Sequence, residues 1–82
     1  MKNKINILSN NHAILYTPEG TFLQSYSSII AKKDNNGKIT LDGYYWDYSK
    51  TTGKHRNEFL GEDKKETQKK IDAGIYKLAE LN

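Results

Sequence analysis

The densest polar stretch of the chain is Ser49-Lys50-Thr51-Thr52-Gly53-Lys54-His55-Arg56-Asn57, which sets three hydroxyls, a glycine and three permanent cations side by side. After Ser49 the residue pattern changes from alternation to a helical spacing anchored on Phe59 and Leu60, so this stretch falls at a helix start. A helix N-terminus presents unpaired amide donors and partial positive charge, and basic or hydroxyl side chains there can hold a phosphate. Lys50, Thr51, Thr52, Gly53, Lys54, His55 and Arg56 are therefore the candidate anion- or nucleic-acid-binding residues. A plainer reading of the same letters is that Ser49 or Thr51 caps the helix while Lys54, His55 and Arg56 form its solvated face. The likeness to a phosphate loop is superficial. The Walker pattern needs a glycine at position 48 and Ser or Thr at 55, where this chain has Tyr48 and His55.

Directly before this stretch stand Tyr44, Tyr45, Trp46 and Tyr48. Aromatics beside Lys and Arg are what single-stranded nucleic acids use, through stacking worth roughly 1–3 kcal/mol per base. They serve equally as anchors of protein interfaces. As the sole tryptophan in a chain with two phenylalanines, Trp46 is expected in the core, leaving Tyr45 on the opposite side and exposed. Tyr45 and Tyr48 are the candidate partner contacts.

The inventory for catalysis is thin. His12 and His55 are the only histidines and lie far apart, and no Asp or Glu pair has a spacing that suggests shared protonation or a metal site. A His55–Asp47 pair is conceivable in three dimensions, but the spacing does not require it. The expectation is no catalytic residue, no metal and no cofactor.

These residues must be positioned by a small scaffold. Thr17-Pro18-Glu19-Gly20 and Asp34-Asn35-Asn36-Gly37 are turn signals between β-prone stretches, the second favouring a type I′ turn. Ala13–Tyr16, Thr21–Lys33 and Lys38–Asp42 then read as three antiparallel strands in a meander. Phe22, Tyr26 and Ile30 share one side of the long middle strand, and Leu23, Ile29 and Ala31 the other. Gly43 marks a bulge or bend before a fourth strand at Tyr44–Tyr48, where alternation groups Tyr44, Trp46 and Tyr48. A first short helix ends at Gly61; Asp63-Lys64-Lys65-Glu66 opens a second that stops at Gly74. Ile75–Leu78 is expected as a closing strand. The fold class is α+β: an antiparallel meander of three to four strands, two short helices and a C-terminal strand, in one domain over residues 1–82.

Composition agrees with a folded, soluble domain. The 82 residues are 35% hydrophobic and 28% charged, unlike a disordered segment. The absence of cysteine excludes disulfides and Cys-based zinc fingers and suits a reducing cytoplasm. Met1–Leu8 is followed by polar residues too soon for a signal peptide or membrane span. A net charge of +3 favours an anionic partner, though charge of that size also serves solubility alone.

Leu23-Gln24-Ser25-Tyr26, Ile30-Ala31, Trp46-Asp47-Tyr48-Ser49, Thr51-Thr52, Lys54-His55 and Phe59-Leu60-Gly61 together resemble a family of small uncharacterised proteins from bacteriophages, plasmids and their bacterial hosts, over roughly residues 13–78. The resemblance implies a genomic setting rather than a chemistry. By analogy, it points to the small accessory proteins of mobile elements, many of which bind nucleic acid or block host defence complexes such as CRISPR effectors. The expected function is thus non-enzymatic binding of nucleic acid or of a nucleic-acid-processing host complex. The alternatives are a protein–protein adaptor or structural accessory protein with no nucleic-acid contact and, remotely, a small phosphoesterase dependent on His55; on any reading the chain is expected as a monomer or homodimer away from membranes.

Overall fold

The computed structural model describes residues 4–9 and 11–82. Strands β1 (Lys4–Ser9), β2 (His12–Thr17), β3 (Gly20–Ser25), β4 (Ser28–Asp34) and β5 (Ile39–Asp42) lie in sequence order as an antiparallel meander. Helices α1 (Lys50–Leu60) and α2 (Lys64–Asp72) follow, and β6 (Lys77–Ala79) closes the sheet parallel to β5. The class is α+β, as the sequence pattern indicates.

Register explains the core. Ile14 pairs with Leu23, Leu23 with Ala31 and Ala31 with Leu41, so one row of apolar side chains crosses four strands on one face. All four are buried, together with Ile30. A bulge opposite Leu23 and Gln24 supplies the extra residue Ile30. Helix α1 covers this face over β3 and β4, and Trp46, Phe59, Leu60 and Ile71 pack against the cluster. Phe22, paired with Leu15, and Ile29, paired with Gln24, lie on the opposite face.

Three expectations about the strands change. The single strand over 21–33 is two strands joined by a tight turn at Tyr26-Ser27, which separates Tyr26 from the alternation and regroups Leu23, Ile30 and Ala31 on the buried side. That turn carries neither glycine nor proline, and Tyr26 takes φ 57° instead. Tyr44–Tyr48 forms turns rather than a strand. Asp42 causes this: its Oδ2 accepts from the amides of Tyr44 (3.1 Å) and Tyr45 (2.8 Å), which curls the chain at once. The 34–37 loop is not type I′, because only Gly37 has positive φ. Asp34 Oδ1 instead accepts from the amides of Asn36 and Lys38 at 2.9 Å each, an Asx-supported loop ending on a left-handed glycine. Strand β1 adds a further element to the expected three or four.

The helix boundaries follow the expected caps. Ser49 caps α1, with Oγ accepting from the Thr52 amide at 3.1 Å. Gly61 terminates it at φ 70°, its amide donating to Asn57 O. Asp63 caps α2 through the Glu66 amide at 2.9 Å.

Candidate functional site

Helix α1 sorts the expected site residues into two sets. Lys50, Thr51 and Lys54 point to solvent, whereas Thr52, Gly53, His55 and Arg56 are buried against the sheet and the 42–48 turns. The stretch is a capped helix start with a cationic outer side and a polar inner side. No acidic residue occupies its first turn, so the positive end of the helix keeps its field.

Arg56 is the largest fully buried side chain, at 1% exposure. Its Nη1 donates to Trp46 O (2.8 Å) and Asp47 Oδ1 (3.1 Å), and its Nη2 to Asn57 Oδ1 (2.9 Å). The guanidinium lies 5.2 Å from the Trp46 ring centroid, within cation–π range. Gly53 adjoins it: a Cβ there would meet Nη2 at 3.5 Å, an ordinary van der Waals contact. Arg56 thus ties the helix to the aromatic turn. Asp47 also meets Lys64 Nζ at 2.6 Å. Burial pushes the Asp47 carboxyl up, but the bonds from Lys64 and Arg56 outweigh it and hold the group below the usual range.

Above Arg56 opens a cleft of about 500 Å³, lined by Asp47, Ser49, Lys50, Lys54, Asn57 and Lys64. Among the described residues Lys50 and Lys54 form no ion pair. With Asp47 already shared between Arg56 and Lys64, the cleft keeps an excess of positive charge that an anion would neutralise.

The tyrosines that precede α1 are arranged differently from what was expected. Tyr44 and Tyr48 are 71% and 60% exposed, whereas Tyr45 is half-buried against the core. Tyr45 turns inward because the Asp42-centred turn, rather than a strand, orients it. Its ring lies edge-on to Tyr44 at 4.7 Å and 5.3 Å from Tyr48. Trp46 is partly buried and packs on the core as its scarcity suggests.

Sequence spacing gave no sign of one further cluster. His12 of β2 and His55 of α1 stack with centroids 4.0 Å apart, and His55 Nδ1 is 2.9 Å from Ser25 Oγ. Ser25 Oγ lies 3.2 Å from Thr52 Oγ1, which also receives Ser49 Oγ at 3.2 Å. The conceivable His55–Asp47 pairing is replaced by His55–Ser25, since Asp47 is taken by Arg56 and Lys64. Burial, then the neighbouring His12, lowers the His55 pKa. A serine bonded to an imidazole is half of a nucleophile–base pair. Here Ser25 is 2% exposed and its second partner is another hydroxyl, so the chain of bonds acts as a buried polar bridge from sheet to helix. The described residues hold no cluster of three or more metal-ligating side chains, and no described helix is long and apolar enough to cross a membrane.

The model of the family of unknown function DUF8033 matches residues 1–74, and the chain belongs to that family. No curated protein and no solved structure matches it.

Proposed function

We propose that this DUF8033 chain is a non-enzymatic binding protein that holds the phosphates of a nucleic acid, free or within a nucleic-acid-processing complex, on the cleft at the start of α1. The observation that carries this reading is the pair of exposed cations Lys50 and Lys54, without ion pairs among the described residues, at a helix N-terminus with no acidic residue in its first turn. Thr51 adds a hydroxyl, and Lys64 a third cation at the rim. Thr52, Gly53, His55 and Arg56 act beneath them as the platform that fixes the helix. Tyr44 and Tyr48, in the turns that precede the helix, are exposed. The family resemblance read from the sequence adds the setting: an accessory protein of a phage or other mobile element, working in the bacterial cytoplasm, with a host defence complex as one target.

A second reading is favoured by the far side of the sheet. There Ile5 and Ile7 are 61% and 72% exposed on β1, the edge strand, beside half-buried Leu15, Phe22 and Ile29. An apolar sheet face ending in an unpaired edge suits a protein partner added by strand pairing.

Affinity purification of the tagged protein from a bacterial host, with and without nuclease, separates the two. Nuclease-sensitive recovery of nucleic acid supports the first reading. Recovery of a protein partner alone, unchanged by nuclease, contradicts it in favour of the second.

A further inference from the structure

On the other side of the first turn of α1 from the basic cleft lies a smaller pocket of about 210 Å³. That is below the roughly 300–1,000 Å³ of sites for drug-sized ligands and several times the roughly 30 Å³ of one water. Tyr26, Tyr45 and Tyr48 line it, and none of its lining residues is charged. Ser25 and Thr52 lie at its inner end, bonded to each other at 3.2 Å, while Ser27 and Ser28 stand at the mouth. Aromatic faces combined with neutral hydroxyl donors and acceptors suit a planar heterocycle with a polar edge.

Two observations tie this pocket to the phosphate cleft. Ser49 lines the cleft and Thr52 lines the pocket, yet their hydroxyls are 3.2 Å apart, so the two sites are separated by a single turn of helix. Tyr48 lines the pocket and is the residue immediately before the cap Ser49.

The pocket also contains the one non-glycine residue with positive φ among the described residues. Tyr26, at φ 57°, occupies a hairpin position that glycine usually fills, in a left-handed conformation that disfavours a side-chain-bearing residue. Its amide donates to Asn11 O at 2.8 Å, and its carbonyl accepts from Gln24 Nε2 at 2.9 Å. The turn is therefore held with Tyr26, 47% exposed, lining the pocket. Strain kept where a smaller residue would relieve it points to a use for that ring.

We infer that the pocket takes one unstacked nucleobase of a single-stranded nucleic acid whose phosphates lie on the adjoining cleft. The inference rests on the phosphate-binding reading and narrows it from nucleic acid in general to single strands. In a duplex the bases are stacked and paired, and one could enter only at the cost of being unpaired and unstacked. A neutral sugar would use the same rings but gives no reason for cations one helical turn away.

The test compares three fluorescently labelled oligomers of equal length by anisotropy: a mixed-sequence DNA single strand, the same sequence as duplex, and an abasic strand with phosphates and no bases. The single strand is expected to bind more tightly than either, and Tyr48→Ala is expected to reduce its advantage over the abasic strand by about five- to a hundredfold, the range of one lost stacking contact. Tyr48→Trp, which keeps an aromatic face, is expected to retain the advantage. Equal binding of base-bearing and abasic strands overturns the base pocket and leaves the phosphate cleft standing. An advantage unaffected by Tyr48→Ala overturns the pocket as its source. Binding of none of the three overturns both.

Discussion

His12 and His55 stack face to face, with ring centroids 4.0 Å apart and planes within 15° of parallel, joining β2 to α1 inside the polar layer under the candidate site. Both are buried, at 7% and 9% exposure. Two imidazolium rings in that arrangement would repel, so the stack disfavours the charged form of His55. Glu58 favours the proton of His55 and Lys54 opposes it.

A pH dependence follows. With its folded pKa below the ordinary 6.5, His55 binds a proton more readily in the unfolded chain. Its contribution is complete above about pH 6.5 and is lost as pH falls through the lower folded value. Thermal melts should show Tm falling between pH 7 and pH 5, before the carboxylates titrate. His12→Gln, which removes one of the two main causes of the shift, should shrink that fall. A Tm flat over this range contradicts the account.

Arg56 should be needed for the fold and not only for charge. Arg56→Ala leaves the partly buried Trp46 O, Asp47 and Asn57 without this donor; removing one partner of a buried ion pair costs about 3–5 kcal/mol. The lower end applies, because Asp47 is 31% exposed and keeps Lys64. Arg56→Lys should recover little, since an ammonium cannot serve three acceptors from a planar fork. Gly53→Ala should instead raise stability by up to about 1 kcal/mol through helix propensity, as the added Cβ meets Arg56 Nη2 at an ordinary 3.5 Å. Urea unfolding measures all three. A stable Arg56→Ala would show that the guanidinium is not the tie between helix and turn.

Asp42 joins the chain's middle to its last residues. Oδ1 accepts from the Leu81 amide (2.8 Å) and Asn82 Nδ2 (3.1 Å), while Oδ2 holds the Tyr44 and Tyr45 amides. Burial raises its pKa, but these four bonds together lower it. Asp42→Asn turns an amide group towards N–H donors and should cost about 2 kcal/mol, the scale of a hydrogen bond to a charged group. The same variant should lose less stability than the parent between pH 4 and pH 2, since the depressed Asp42 pKa gives stability that disappears as pH falls through it. Equal acid sensitivity in both proteins contradicts this.

The parts of the fold that depend on local chemistry were legible in the sequence. Pro18 and Gly20, Asp34 and Gly37, the caps Ser49 and Asp63 and the stop at Gly61 each act through their own backbone, and the hairpins and helices lie where those residues put them. The turn at Tyr26-Ser27 was not legible, because a tyrosine there adopts by tertiary restraint what glycine adopts by preference. Strand length carried a signal: thirteen residues from Thr21 to Lys33 far exceed the usual five or six. The aromatic alternation at Tyr44–Tyr48 imitates a strand, and only the four amides and amide groups converging on Asp42 reveal the turn. Within the site, residue types identified the cationic segment, while helical phase decided which side chains reach solvent. The His12–His55–Ser25 cluster exists only through the packing of α1 on β2 and β3, and no spacing in the sequence announces it.

The central claim, that Lys50 and Lys54 at the start of α1 hold nucleic-acid phosphates, is tested most directly by titrating a labelled single-stranded oligonucleotide at several salt concentrations with the parent protein and with Lys50→Ala/Lys54→Ala. Both lysines are exposed, so the fold should be unaffected. Each lost phosphate contact should flatten the plot of log K against log salt by about 0.7, and the double variant by about 1.4. A slope identical in the two proteins, with binding intact, would contradict the claim.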